Sequence, residues 1–174
     1  ISKDAITLIE LSEQISELTN NKFNIAIRPL LSLWQLDESF NSNSLSFSVP
    51  NSLDIERVKS ICDTSLFTVN NDTYTAHKQA DDVQIDFGGI AKGYVADMVY
   101  EILKDAGATD GYISIGGSSI RVFSTTEDLL IKHPRRAGEY ILSVENSIIK
   151  DKALSTSGDG EKYYEKDGVR YSHI

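Results

Sequence analysis

The chain of 174 residues is long enough for a sizeable core, and its 40% hydrophobic and 25% charged residues are typical of globular proteins. Its net charge of −9 argues against binding to the phosphate backbone of nucleic acids, because no basic face compensates it. The single cysteine, Cys62, excludes an internal disulfide and a cysteine-based zinc site, and no apolar run is long enough to cross a membrane.

The first third of the chain reads as helices separated by a polar loop. A first helix is predicted by apolar residues at helical spacing, namely Leu8, Leu11, Ile15 and Leu18. Asn20 and Asn21 can end this helix in the left-handed conformation. A short apolar helix is predicted over 29–34, and the serine- and asparagine-rich stretch 37–48 is the expected loop. A further helix is expected around 54–62, with three residues turned inward: Ile55, Val58 and Ile61.

The central third combines a hairpin, a strand and a helix. Segments 66–70 and 73–76 flank Asn71-Asp72 and predict a hairpin. Residues 83–87 alternate in polarity and predict a strand that runs into Gly88-Gly89 and then directly into a helix. The buried stripe of that helix is expected to consist of four residues, Tyr94, Val95, Met98 and Ile102. Gly107 is expected to end the helix.

Beyond Gly111 the hydrophobic pattern changes to short strands. They are expected at 112–115, 120–123, 129–132 and 140–145, with a last strand in the final run from Val169. Because helices and hairpin-like strands occur in blocks, the fold class is predicted to be α+β, in a single domain over 1–174.

Glycines at the turn between the predicted strand and helix leave room for a ligand. The helix start offers unpaired N–H groups and a partial positive charge, so Lys92 nearby is better explained if an anion binds there. The spacing matches neither a Walker loop nor a dinucleotide G-x-G-x-x-G. Connection geometry alone would also explain these glycines, and Asp86 would equally serve as a helix cap.

Two later clusters have a similar composition. The turn 116–119, Gly-Gly-Ser-Ser, is explained by a tight hairpin or by a backbone-lined wall for a cofactor. The hydroxyl-rich stretch 155–159 offers hydrogen bonds to a phosphate or ribose, although such stretches are commonly plain loops. The three histidines are too scattered for metal-ligand spacing, and neither His77 nor His133 has an evident partner.

Taken in order, these stretches resemble the ApbE family, the FAD-dependent FMN transferases that attach flavin to other proteins. Residues 21–34 stand in place of G-x-F-D-x-T-x-x-P-L-x-x-L-W, and 86–97 match D-[LF]-G-x-x-A-K-G-Y-x-x-D. Residues 115–117 match I-G-G, while 154–163 and 168–174 match A-[ST]-S-G-D-Y-E-R-Y and G-x-R-Y-x-H-I. The resemblance covers nearly the whole chain.

The resemblance implies an ApbE-like fold, with a mostly antiparallel mixed sheet packed with helices. It also implies binding of FAD and Mg²⁺, and transfer of the FMN half to a Thr or Ser hydroxyl of an acceptor flavoprotein, with release of AMP. Carried over by position, FAD contacts fall to Lys22, Phe23, Asn24, Asp86 and Lys92. The Gly89 carbonyl becomes a magnesium ligand, and His173 a base or orienting group for the acceptor hydroxyl.

Four departures from the residues usual in the family bear on its expected contacts. Asn24 replaces the usual Asp, Ala26 the usual Thr and Arg28 the usual Gly, and Gly160 stands where an aromatic residue is common. Two alternatives therefore stay open: an FAD pyrophosphate hydrolase that gives FMN and AMP, and a flavin-binding or scaffold protein without catalysis.

The resemblance also gives expectations for the rest of the protein. The family's N-terminal strands and a C-terminal segment with metal ligands are expected beyond these residues, so 1–174 alone should bind metal poorly and transfer no flavin. Family members commonly work outside the cytoplasm as lipoproteins, so an extracytoplasmic location is expected. Any membrane attachment would come from a lipid anchor outside this chain.

Overall fold

The computed structural model describes residues 1–41 and 46–174, and they form two compact units. The first comprises Ile1–Gly89 with Lys162–His173, and the second comprises Ile90–Glu161 with Ile174. The fold class is α+β, as the sequence predicts, while the single domain over 1–174 stays a prediction. None of the helices in these two ranges is both long and apolar enough to span a membrane.

The described part of the first unit holds three helices, two 3₁₀ turns and two antiparallel hairpins. Helix α1 covers Lys3–Leu18, α2 covers Arg28–Leu33 and α3 covers Ser52–Lys59. The 3₁₀ turns are Ile25–Ile27 and Thr64–Leu66. One hairpin pairs β1 (Phe67–Asn70) with β2 (Thr75–Lys78), and the other pairs β8 (Tyr163–Lys166) with β9 (Val169–Ser172).

The caps of α1 follow from its sequence. The Ser2 side chain accepts a hydrogen bond from the Ala5 N–H at its start, and Asn20 and Asn21 adopt positive φ at its end, as predicted. The expected apolar stripe is only partly right, because Leu18 is 84% exposed. The buried face instead includes Ser12, whose hydroxyl donates to the Leu8 carbonyl, so a polar residue packs inward without an unsatisfied group.

An aromatic cluster forms a core of the first unit. The Tyr164 ring stacks on Phe47 with centroids 4.0 Å apart and meets Phe40 edge-on at 5.2 Å. Its hydroxyl donates to the Gln35 carbonyl at 3.0 Å, so the polar end is satisfied as well. The β8–β9 hairpin is thereby attached to the residues that follow α2, with the Trp34 ring stacked on Tyr171.

The second unit is built on one long helix, one short helix and five strands. Helix α4 covers Ala91–Asp105 and α5 covers Asn146–Ile149. A three-stranded antiparallel sheet has the order β3 (Gly111–Ile115), β4 (Ser119–Ser124) and β7 (Ala153–Ser155). A separate antiparallel hairpin pairs β5 (Leu129–Lys132) with β6 (Tyr140–Val144). The Tyr100 ring of α4 stacks on Phe123 of β4 with centroids 4.2 Å apart.

Most of the stripe predicted for α4 lies on an exposed face, although Tyr94 is half-buried. Ala96 and Tyr100 are the buried residues of the helix, because they face β3 and β4. Val95, Met98 and Ile102 are exposed, so the helical period was right and its phase was wrong. The expected end of the helix is confirmed, since Gly107 has a φ of +90° just past its last turn.

The strand predicted at 83–87 is not formed among the described residues. Val83 is fully buried and Gln84 is exposed, so the alternation begins as expected. However, a strand forms only when a second strand lies beside it and exchanges backbone hydrogen bonds with it. In this segment, the Asp86 N–H instead donates to the carbonyl of Ile25, which belongs to a 3₁₀ turn. A turn over 88–90 then separates this extended segment from α4.

Most other predicted elements are found with shifted ends. The hairpin around Asn71-Asp72 is present, but its turn spans 71–74 because Tyr74 takes a φ of +54°. Helix α3 starts two residues before the expected 54 and buries Val58. Part of the predicted 37–48 loop, residues 42–45, lies outside the described residues. Strands β7 and β8 were missed, since three or four residues give too short a pattern.

Replacing Tyr164 should reveal the aromatic core of the first unit. Tyr164→Ala is expected to lower the free energy of unfolding by about 3–5 kcal/mol, because a large ring that is only 4% exposed is lost. Tyr164→Phe, which loses the hydrogen bond to Gln35, should cost about 1 kcal/mol. Urea unfolding measures both free-energy changes, and Tyr140→Ala is the control because Tyr140 is 54% exposed. Equal losses of unfolding free energy for Tyr164→Ala and Tyr140→Ala would contradict a core role for Tyr164.

Candidate functional site

Within the first unit, the fold brings the first motif to the central motif. The Asp86 N–H donates to the Ile25 carbonyl at 2.7 Å, which places the residues after Asp86 beside those before Ile25. A Cβ on Gly89 would lie 3.0 Å from Cε2 of Phe23, so only glycine allows this approach without a shift of the ring. Three predicted FAD contacts, Phe23, Asn24 and Asp86, are therefore gathered near the predicted magnesium ligand Gly89.

Both ends of the Asn24 side-chain amide are hydrogen-bonded to the backbone around it. Its Oδ1 accepts from the Ala26 N–H at 2.7 Å and caps the 3₁₀ turn, while its Nδ2 donates to the Cys62 carbonyl at 2.8 Å. An Asp at position 24 could not donate that second bond. The departure from the family pattern therefore has a local structural explanation, and Ala26 beside it is completely buried.

The Asp86 carboxylate is held on two sides. Its Oδ1 accepts from the Gly88 N–H at 2.7 Å, and a Cβ on Gly88 would lie 2.7 Å from the same oxygen. Its Oδ2 lies 3.6 Å from Nη1 of Arg28. Asp86 thus forms a local turn rather than capping α4, whose cap residue is Ile90. At 3.6 Å the second oxygen keeps its capacity to accept a hydrogen bond from a ligand.

Arg28 links this turn to an acidic pair after α2. Its guanidinium donates two hydrogen bonds to the Glu38 carboxylate, and Nη2 lies 3.9 Å from Oδ2 of Asp37. Hydrogen bonds from Ser32 and Ser39 lower the pKa of Asp37 to about 2, with a smaller contribution from Arg28. The pKa of Arg28 is raised, chiefly by its hydrogen bonds to Glu38.

In the second unit, the start of α4 meets the β3–β4 turn. Lys92 Nζ donates to Ser118 Oγ at 2.6 Å, and a Cβ on Gly116 would lie 3.5 Å from Cδ of Lys92. Gly116 and Gly117 have φ of +61° and +71°, so the tight-hairpin explanation of this turn is confirmed. The Ser118 carbonyl accepts from the Thr156 N–H at 2.9 Å, which adds the hydroxyl-rich stretch to the same group.

Two further predicted site residues, Lys22 and His173, are exposed, and the remaining departure, Gly160, lies beside Pro134. Lys22 is exposed just after α1, and His173 is exposed at the end of β9, with its Nδ1 3.4 Å from the Lys162 carbonyl. Asp159 pairs with Arg135 at 2.6 Å. A Cβ on Gly160 would lie 3.0 Å from the Pro134 carbonyl, so an aromatic residue would collide there.

The residues present do not form a magnesium site by themselves. Across 1–41 and 46–174, no group of three or more His, Cys, Asp or Glu side chains is arranged to hold a metal ion. Magnesium prefers six oxygen ligands in octahedral geometry, and the resemblance to the family implies one of them, the Gly89 carbonyl. The metal role of Gly89 stays a prediction.

Sequence reasoning missed several side chains that the structure shows at these groups. Ser118 was seen only as part of a turn, and Glu38 only as part of a loop. Cys62 supplies a backbone carbonyl to Asn24 across 38 positions of sequence. A separation of this kind leaves no local signal, whereas the Gly-to-Arg departure at position 28 was a signal that a partner should be sought.

The comparisons with known proteins agree with the motifs. The sequence model described as "ApbE family" matches residues 1–174, the whole chain. The chain belongs to the ApbE family. A curated relative from Klebsiella pneumoniae (strain 342), named FAD:protein FMN transferase, is 29% identical over all of this chain and 52% of its own length. A Vibrio cholerae relative of the same name is 28% identical over 51% of its length.

Solved structures of the ApbE family share the fold. The ApbE protein from Thermotoga maritima superposes with a TM-score of 0.78 and 28% identity, over 99% of this chain and 55% of that chain. A structure described as the flavin transferase ApbE from Vibrio cholerae gives 0.76 and 25%, over 100% of this chain and 54% of that chain. The chain spans about half the length of the curated relatives it matches.

Restoring the family's usual residue at position 24 should destabilise this ApbE protein. Asn24→Asp at neutral pH loses the donor to the Cys62 carbonyl and sets a carboxylate oxygen against it, at a cost of about 1–3 kcal/mol. Near pH 4 the loss should shrink, because a protonated carboxyl can donate the bond again. Thermal unfolding of both proteins at the two pH values measures this, and a loss independent of pH would contradict it.

Asp37 should make stability depend on acid. Its pKa lies at about 2 when folded against 3.8 ordinarily, so the folded protein favours the ionised form. This contributes ~2 kcal/mol that is fully present above about pH 4 and is lost as the pH falls toward 2. Asp37→Asn should flatten the fall in unfolding free energy over that window, while Asp72→Asn in the exposed β1–β2 turn should leave it unchanged.

Proposed function

We propose that a protein containing these 174 residues transfers the FMN half of FAD to a Thr or Ser hydroxyl of an acceptor protein, with release of AMP and dependence on Mg²⁺. The observation that carries the proposal is the gathering of Phe23, Asn24, Asp86 and Gly89 in the first unit. These residues come from two motifs about 60 positions apart in the sequence, and each motif resembles the family pattern independently of the other. The names of the curated relatives support the same activity.

The residues of this chain would bind and orient the substrate. Phe23 offers a half-buried ring face, Asn24 and Asp86 offer polar groups at its side, and Lys22 adds an exposed cation. In the second unit, Lys92 and the N–H groups at the start of α4 suit an anion such as a diphosphate. Ser118 supports this role because its hydrogen bond fixes the position of the Lys92 ammonium.

The transfer step exchanges one phosphorus–oxygen bond for another. The acceptor hydroxyl oxygen bonds to the phosphorus of the FMN half, and the bond from that phosphorus to the bridging oxygen breaks. The bridging oxygen leaves with AMP. His173, exposed at the end of β9, is proposed to take the proton of the acceptor hydroxyl or to orient that group.

Magnesium would neutralise charge on the diphosphate during transfer. Its place in the proposal is supported by the resemblance, together with the Gly89 carbonyl, and no step is assigned to it because the described side chains do not form its site. The proposed partner is an acceptor flavoprotein with a Thr or Ser target motif. We also propose an extracytoplasmic location, with any membrane attachment through a lipid anchor outside this chain.

A flavin-transfer assay tests the proposal on the complete protein that contains residues 1–174. FAD, Mg²⁺ and an acceptor domain should give a fluorescent, covalently flavinylated acceptor and one AMP per flavin transferred. His173→Ala is expected to slow labelling by about 100-fold, the usual contribution of a general base, while FAD affinity changes less than twofold. Labelling is read on denaturing gels, AMP by chromatography and affinity by flavin fluorescence.

The same assay separates the alternatives. AMP release without an acceptor would identify an FAD hydrolase, and FAD binding without AMP would identify a flavin-binding scaffold. Absence of FAD binding by the complete protein would overturn the proposal. His77→Ala serves as the matched control, because His77 is an exposed residue of β2 that no motif includes.

A further inference from the structure

Arg28 lies among three carboxylates in the first unit. Two hydrogen bonds join its guanidinium to Glu38, and its nitrogens lie 3.9 Å from Asp37 and 3.6 Å from Asp86. The Arg28 side chain is 24% exposed, so solvent screens these interactions only in part. Without Arg28, this cluster would carry three negative charges and no positive one.

The arrangement gives different tasks to the partners of Arg28. Glu38 holds the guanidinium in place, because two parallel hydrogen bonds fix its orientation. Asp86 receives its charge without a direct hydrogen bond, since 3.6 Å exceeds that range. Arg28 therefore balances the Asp86 carboxylate while Oδ2 of Asp86 stays able to accept a hydrogen bond from a ligand.

A glycine at position 28 would have no side chain to do this. A substrate with a diphosphate is repelled by an uncompensated carboxylate cluster, and the protein as a whole has a net charge of −9. The repulsion between an anionic ligand and the carboxylates of Asp37, Glu38 and Asp86 is therefore reduced by the positive charge of Arg28, which the same carboxylates hold in place.

We propose that Arg28 is a positioning residue that orients and charge-balances Asp86, so that this chain presents a guanidinium–carboxylate pair to the flavin dinucleotide. The inference rests on the proposed function and deepens it, because it adds a determinant of affinity for an anionic flavin. Arg28 acts through Asp86 and is not assigned a part in the chemistry of transfer.

Flavin binding by the complete protein that contains residues 1–174 tests this inference. Arg28→Gln keeps most of the side-chain length and removes the charge. It should weaken FAD binding by about fivefold at low salt, and the loss should shrink at high salt as the charges are screened. Riboflavin, which has no phosphates, should lose less than half as much affinity. Arg28→Lys should restore FAD affinity to within about twofold of the unmodified protein.

A double-mutant cycle shows whether the effect passes through Asp86. In the Asp86→Asn background, Arg28→Gln should weaken FAD binding by no more than about twofold instead of about fivefold, because only the contribution of Asp37 and Glu38 then remains uncompensated. Arg57→Gln is the matched control, since it removes one exposed positive charge from α3 in the same unit and should leave affinity unchanged. Thermal unfolding of each variant confirms that the folded protein is compared.

The outcomes separate this inference from the proposed function. If the unmodified protein does not bind FAD, the proposed function fails and the inference fails with it. If it binds FAD but Arg28→Gln has the same affinity, only the inference is overturned. Equal losses for FAD and riboflavin without rescue by Arg28→Lys, or additive effects in the cycle, would show a purely structural role and would also overturn it.

Discussion

The hydrogen bond from the Asp86 N–H to the Ile25 carbonyl is the contact on which the first-unit site depends. It joins an extended segment that has no sheet partner among the described residues to a 3₁₀ turn that Asn24 caps. In the same segment, the Asp86 side chain accepts a hydrogen bond from the Gly88 N–H, and Gly89 closely approaches the edge of the Phe23 ring. The first motif and the start of the central motif are therefore joined within the first unit by a main-chain contact that does not depend on side-chain identity.

Within each unit, the polar side chains of the candidate site are already partly satisfied before any ligand binds. Asn24 uses both ends of its amide on the backbone, whereas Asp86 uses one oxygen for Gly88 and shares charge with Arg28. Lys92 in the second unit uses one of its three ammonium hydrogens for Ser118. Such internal partners fix orientation and reduce the ordering that a ligand must impose, which favours rigid recognition. Asn24 then acts mainly by shaping the turn.

Sequence reasoning succeeded where the determinant is local. The left-handed Asn20 and Asn21, the stop at Gly107 and the β3–β4 turn follow from residues that are next to one another. It failed where the determinant is tertiary. Residues 83–87 alternate like a strand, yet strand formation needs a partner that no local pattern specifies. In α4 the period was evident, but its phase depended on the stacking of Tyr100 on Phe123.

The site shows the same division. The matched motifs located Phe23, Asp86, Gly89 and Lys92 as candidates, because the order of the motifs is carried by the sequence itself. The network of Arg28 with Glu38, and the link from Asn24 to Cys62, join residues 10 and 38 positions apart without a recognisable spacing. Their roles became visible only as distances. The metal ligand, the base and the FAD contacts stay predictions about chemistry.

The place of Cys62 has a practical consequence. Its thiol is half-buried, and burial raises its pKa, so little reactive thiolate forms while the native arrangement persists. Its own carbonyl anchors Asn24, which means that an opening of the 3₁₀ turn and an unmasking of the sulfur would tend to occur together. As the chain's one cysteine, it offers a built-in reporter: the rate of alkylation by a maleimide dye would register opening of the 3₁₀ turn at Ile25 without any engineered label.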